Sequence, residues 1–284
     1  MRLYCPHLPG SPDSKGPDPK GPDPGRPALG GPVDRGSTGQ SPESGTNQAS
    51  PAPEIVEIRA EEFRYAKNVL RAKPGDEVSL FDGKGRLAKG VIAAVRRDRL
   101  VVRIGEISDS VKESALSILL LPAILKGQKM DFAIQKAVEL GVARIKPLIT
   151  GRTQVSETRK IDRWRKISIE AARQCGRSLA PPVDEPVAFR GYFEGLQPPS
   201  GKGGAGIIFW EGGGTGLRAL SERLRGADRI AVAVGPEGGF SAEEAGLAGE
   251  AGFHIATLGP RILRAETAAV LAVGLVQFLF GDIG

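Results

Sequence analysis

Two turns near the end of the chain carry the residue types that hold a small ligand. One is AVAVGPEGGFSAEEA at 231–245, and the other is ATLGPRILRAETAAV at 256–270. In each, an apolar segment ends in glycine, the chain bends, and a helix-forming run begins. In an open α/β sheet, ligands bind beyond the carboxyl ends of the strands. Gly235, Gly238 and Gly239 let backbone amides come close to a ligand, and Pro236 stiffens the turn. Ser241 with Glu244 three residues on predicts a capping box that fixes where the next helix starts. The implied chemistry is small-molecule binding between two adjacent loops, although two ordinary βα turns would share this outline.

Other apparent signals carry less. GKGGAG at 201–206 satisfies GxGxxG, but a loop precedes it and the strand GIIFW follows, so no helix N-terminus awaits a pyrophosphate. It reads as a flexible linker. No GxxxxGK[ST] occurs, so P-loop chemistry is unsupported. Cys5 and Cys175 lie far apart without a CxxC or a neighbouring histidine pattern. That argues against a disulfide scaffold or a metal site and suits a reducing cytoplasm. His254 opens a strand and reads as structural.

The elements that must position these turns follow from patterning. Residues 54–112 read as a small β-barrel domain. It has a short helix near 61–71, the strand VSLFD, a hairpin signal at Asp82-Gly83, and the strands GVIAAV and LVVRIGEI. From 113 to 284 strands and helices alternate, predicting an α/β domain with a largely parallel sheet. SALSILLLPAI is apolar enough for a strand covered on both faces. The helix QKMDFAIQKAVELG follows with Gly141 as its stop, then ARIKPLIT as one strand, a helix over 157–176, and a Gly/Pro-rich loop. GIIFWE, RIAVAVG and HIATLG are the later strands, with helices near 217–225, 241–251 and from 265.

Residues 10–53 are rich in Pro, Gly, Ser and Asp and repeat KGPDP at 15–19 and 20–24, a composition that predicts disorder. MRLYCPHL, residues 1–8, alternates like a strand and can pair with the barrel across that insert. The formal charge is +6; residues 1–53 hold five basic and five acidic side chains, so the excess lies in 54–284. A basic body favours a polyanionic partner. The apolar run at 268–280 is shorter than the roughly 20 residues a membrane helix needs and reads as a buried helix. With no apolar core of the secretory kind at its start, the chain reads as cytoplasmic.

The pair GPEGGFSAEE and LGPRILRAETA closely resembles the RsmE family of 16S ribosomal RNA uridine-N3 methyltransferases, of the SPOUT class. LPAILKGQKMDFAIQKAVELGVARIKPLIT, and EAARQCGR followed by Pro181-Pro182, are similar to the same family, as are MRLYCPHL and 61–109 to its PUA-like barrel. The resemblance implies a C-terminal trefoil knot, a homodimer, S-adenosylmethionine as cofactor and 16S ribosomal RNA of the small ribosomal subunit as substrate. It also implies that Gly235, Pro236, Glu237, Gly238 and Gly239, with Leu258, Gly259, Ile262, Leu263 and Arg264, wrap the cofactor. Phe209 and Trp210 then either line the pocket or pack in the core. Glu237 meets a cationic group of the cofactor or is a solvated turn carboxylate. Arg264 is the candidate to hold a developing uracil oxyanion and Glu266 to accept a proton, although a carboxylate there also suits the first turn of a helix. Lys126, Lys129, Arg152, Gln174 and Arg177, with Lys136 and the barrel cations, are the RNA-binding candidates. The chain departs from the family's pattern at Ala265, where threonine is expected, and at Arg173, where glutamate is. A SPOUT enzyme acting on another RNA base and a non-catalytic RNA-binding protein are the competing readings.

Overall fold

The computed structural model describes residues 1–9, 54–109, 113–153, 160–195 and 203–284. The segment expected to be disordered, 10–53, lies outside the described residues. Six elements build the first body: β1 (Arg2–Tyr4), β2 (Ile55–Arg59), α1 (Ala60–Asn68), β3 (Glu77–Phe81), β4 (Arg86–Val95) and β5 (Arg99–Asp109). The strands form one sheet in the order β1-β3-β4-β5-β2. The opening residues do supply a strand, running parallel to β3 with Leu3 opposite Leu80. The register of β4 on β5 shifts twice, between Lys89 and Gly90 and between Ile92 and Ala94. Bulges of this kind bend and twist a sheet, and here they accompany a curled half-barrel. A side chain at Gly90 would lie 2.5 Å from the Arg103 carbonyl oxygen, so the curl depends on glycine there. Leu3, Leu8, Phe63, Leu80, Ile92, Leu100 and Val102 fill the core inside it.

The second body begins with β6 (Ser117–Pro122), α2 (Lys129–Glu139), β7 (Arg144–Ile145), β8 (Leu148–Ile149) and α3 (Ile161–Cys175). It continues with β9 (Val187–Ala188), α4 (Phe189–Glu194), β10 (Gly204–Phe209), β11 (Thr215–Gly216) and α5 (Leu217–Arg223). It ends with β12 (Arg229–Val234), α6 (Ala242–Glu250), β13 (Phe253–Thr257) and α7 (Ala265–Phe280). A six-stranded sheet runs β11-β13-β10-β12-β6-β7, every pair parallel. The fold class is the expected one, α/β with a parallel sheet beside a small curled β sheet. α2 stops where Gly141 turns left-handed at φ +85°.

Three local readings are corrected. ARIKPLIT is not one strand: β7 joins the main sheet while β8 pairs with β9, and the chain changes partner across Pro147, which has no N–H to give to a ladder. The Gly/Pro-rich loop after α3 contains α4, which buries Phe189 and Phe193 against Phe240 and Phe253. The stretch read as a linker at 201–206 ends in strand, since β10 starts at Gly204. A side chain at Gly206 would meet the Phe253 ring at 2.6 Å, so packing selected this glycine. Residues 201 and 202 lie outside the described residues.

The two bodies meet along α1, α3 and the turn after β3. Ala180 donates its amide to the Gly83 carbonyl at 2.9 Å, and Gly85 donates to Ser178 at 3.2 Å. Arg173, almost buried on α3, pairs with Glu62 of α1 and stacks its guanidinium over Tyr65, 4.6 Å from the ring centroid.

Candidate active site

Because β10, β12 and β13 are parallel neighbours, their carboxyl ends emerge side by side. The turns at 235–239 and 258–264 therefore face each other. Between them, the end of β10 and the start of α7 lies a cavity of about 310 Å³. Its walls include Gly235, Pro236, Glu237, Gly238, Gly239, Leu258, Gly259, Ile262 and Leu263, nine of the ten residues expected to wrap a cofactor; the tenth, Arg264, is not among them. Phe209 and Trp210 also line it; Phe209 is nearly buried in the core as well, so the two readings of that residue hold together. The volume sits at the lower end of the range for small-molecule sites.

The turn is held from several sides. Ser241 caps α6, accepting from the Glu244 amide at 3.1 Å while the Glu244 carboxylate accepts from the Ser241 amide at 2.9 Å. The other Glu244 oxygen accepts from the Gly151 amide at 2.8 Å, and Arg152 donates to the Gly238 carbonyl at 2.6 Å. Trp210 donates its indole N–H to the Phe240 carbonyl at 3.1 Å. Gly239 is left-handed at φ +68°, and a side chain there would collide with the Glu211 carboxylate. Glu211 thus belongs to the cavity wall although the sequence reading passed over it. Its position at the end of a sheet strand was the available signal.

A charged cluster borders the cavity. Glu237 accepts from the Lys129 ammonium at 3.1 Å and from the Lys126 amide at 3.2 Å. Burial by itself would raise the Glu237 carboxyl; hydrogen bonds from its own backbone, from Lys129 and from Lys126 outweigh that and hold it below the usual carboxylate value. Lys129 also stands 4.0 Å from Glu266, whose Oε2 is buried without a hydrogen-bond partner among the described residues. Arg264 occupies the N-cap position of α7 with extended backbone, and its exposed side chain makes no hydrogen bond or ion pair among the described residues. Neither Arg264 nor Glu266 lines the cavity itself; both flank it.

The RNA-binding candidates separate. Lys126, Lys129 and Arg152 gather around the 235–239 turn, whereas exposed Gln174 sits some distance along α3 on another groove. Arg177 is buried elsewhere. It donates to Glu113 at 2.6 and 2.9 Å and to the Val138 and Val142 carbonyls at 2.8 and 2.9 Å. Its guanidinium neutralises a carboxylate and caps the end of α2, so it is a structural cation with no face free for phosphate. Lys136 is likewise engaged, by Glu139 three residues on at 2.8 Å.

Comparison with known proteins converges on one group. An RNA methyltransferase domain family matches residues 112–277, and an RNA methyltransferase PUA domain family matches 58–105. The chain is 34% identical over 229 residues to ribosomal RNA small subunit methyltransferase E of Buchnera aphidicola subsp. Acyrthosiphon pisum, covering 78% of this chain and 87% of that one. A methyltransferase of Legionella pneumophila, solved with bound S-adenosylmethionine, superposes with TM-score 0.73 at 34% identity, covering 81% of this chain and 94% of that one. Ribosomal RNA small subunit methyltransferase E of Neisseria gonorrhoeae, also bound to S-adenosylmethionine, gives TM-score 0.74 at 34% identity, covering 84% and 97%.

Proposed function

The chain belongs to the RNA methyltransferase family that includes ribosomal RNA small subunit methyltransferase E, and on that premise we propose that it moves a methyl group from S-adenosylmethionine to N3 of a uridine in the decoding region of 16S ribosomal RNA. The observation that carries this reading is the cavity between the two glycine turns. Its left-handed Gly239, its close-approach glycines and its apolar wall of Leu258, Leu263 and Ala268 suit a nucleoside cofactor. On this reading backbone amides of the turns would bond the adenine, and the Glu237 carboxylate would complement the cofactor's cationic group.

When bound, S-adenosylmethionine supplies an electrophilic methyl carbon. The protein's work is to align the uracil nitrogen and to manage its proton, and alignment alone can remove a large part of a barrier. Uracil N3 is protonated at neutral pH. Glu266, with one buried oxygen lacking a hydrogen bond, is the group we assign to accept that proton. Arg264, exposed and unpaired among the described residues, is the group we assign to the negative charge that develops on the uracil oxygens. Lys126, Lys129 and Arg152 would position the RNA backbone on the same face.

We place the RNA-contacting barrel within residues 54–112, with the opening strand, and the methyltransferase domain within 113–284. A second copy of the chain is proposed to cover the exposed apolar side chains of Ile262, Leu271 and Phe278. Action on the small ribosomal subunit places the reaction in the cytoplasm. Among the described residues, no helix is long and apolar enough to cross a membrane and no cluster of metal-ligating side chains occurs.

The test is mass mapping of 16S ribosomal RNA from unmodified small subunits incubated with the protein and labelled S-adenosylmethionine. One new methyl at N3 of a decoding-region uridine is the expected result. Methylation confined to transfer RNA or to another base would replace the substrate assignment while leaving the family intact.

A further inference from the structure

A second groove, of about 600 Å³, runs between the two bodies. α2 presents Gln128, Asp131, Phe132 and Gln135 to it, at the i, i+3, i+4, i+7 spacing of a single helix face. A face of α3 ending at Gln174 forms the second wall, and Tyr65 of α1 closes the third side. A helix face turned toward a groove between packed elements is ordinarily apolar. This one carries two amides, a carboxylate and one exposed ring.

Two features of the groove suit a ligand, and a third fixes its wall. Phe132 is 45% exposed, although the helix buries Met130, Ala133 and Ile134 around it. The exposed side-chain amides of Gln128, Gln135 and Gln174 make no hydrogen bond among the described residues. Asp131 accepts both of its Arg163 hydrogen bonds, at 2.8 and 3.0 Å, on Oδ2, and so anchors Arg163 on the wall. An aromatic face and amides that both give and accept are together the equipment for an unstacked nucleobase.

The groove is tied to the methyl-transfer site by chain adjacency. Gln128 lines the groove, and the next residue, Lys129, pairs with Glu237 on the wall of the cofactor cavity. Resting on the proposed methyl transfer to RNA, we propose that this groove is a subsite for a nucleobase flanking the target uridine. The base stacks on Phe132 and is read by the glutamine amides. RNA lying here would hold the strand on both sides of the reacting base, so that affinity and register come from a neighbour rather than from the uracil itself.

The test couples protein and RNA changes. Phe132→Ala and Gln135→Ala are compared with the unaltered protein in binding a short single-stranded decoding-region RNA, and again with abasic sites at each nucleotide flanking the target. Loss of the stacking ring should weaken RNA binding roughly five- to a hundredfold. One abasic position should weaken the unaltered protein by a similar factor and have no further effect on Phe132→Ala. Titration of S-adenosylmethionine, unchanged in both variants, shows that the fold and the cofactor site survive. If no abasic position couples to Phe132, or if the substitutions alter sedimentation and not RNA affinity, the groove is not a base subsite. If the unaltered protein binds the RNA with this coupling but transfers no label, the subsite stands and the proposed reaction fails.

Discussion

At the scale of single residues, Arg264 and Glu266 share the border of one cavity yet differ in what holds them. Arg264 is exposed with no hydrogen bond or ion pair among the described residues, so its removal should cost the reaction and spare the fold. Arg264→Ala is expected to lower kcat by about a hundredfold or more with cofactor affinity unchanged, read by single-turnover methyl transfer and calorimetry. Glu237 allows a prediction with a defined sign. Its carboxyl is held below the ordinary value of 4.5, so the folded state favours the charged form. The stabilisation is fully present above pH 4.5 and is lost as pH falls through the lower folded value. Glu237→Gln should therefore melt below the unaltered protein at neutral pH, with the two curves converging in acid. Equal melting temperatures at neutral pH would show that the Lys129 pair contributes nothing. Glu237 and Glu266 were legible as chemistry-bearing residues in the sequence; that one lysine stands near both was not, because α2 lies more than a hundred residues upstream of either.

At the scale of elements, the site rests on turns that glycine alone can make. Gly239 combines a left-handed backbone with close approach to Glu211, so a methyl group there meets both obstacles. The conformation alone costs about 1–2 kcal/mol for a residue with a side chain. Gly239→Ala should weaken S-adenosylmethionine binding by at least tenfold, and cofactor titration within a factor of two of the unaltered protein would show that the turn tolerates the change. The capping box at Ser241 and the stop at Gly141 were readable because caps are local, set by residues three apart. The helix α4 was not. Its six residues FRGYFE carry no cap or long period, and they are helical because Phe189 and Phe193 find an aromatic cluster contributed by Phe240, in the turn before α6, and Phe253 of β13. The strand GIIFWE was read but begun two residues late, for a related reason: glycines that admit the Phe253 ring look, in sequence, like glycines that loosen a linker.

At the scale of the whole molecule, the curled sheet and the parallel sheet are joined by buried polar contacts as well as by packing. Within the parallel-sheet body, Arg177 holds a further buried ion pair. With its partner Glu113 it is almost enclosed, and it also answers the open carbonyls at the end of α2. Removing one member of a buried pair leaves the other uncompensated, which typically costs about 3–5 kcal/mol. Arg177→Met should lower stability by that order in denaturant unfolding. A loss of RNA affinity with stability intact would instead return this residue to the binding surface. Arg173, on α3, joins the bodies through Glu62 and Tyr65, so a departure from the family's pattern is spent on the contact between them.

The sequence by itself determined most of the longer strands, the caps and the two glycine turns, because each is set by residues within one turn of helix or one length of strand. It also determined the family, since the two turns together are specific. Tertiary structure alone decided which cations face outward. Arg264 and Arg177 are the same side chain beside similar motifs, yet one stands free at a helix start and the other is enclosed against Glu113 and the end of α2. That difference arises from where distant segments pack, and no local pattern of charge records it.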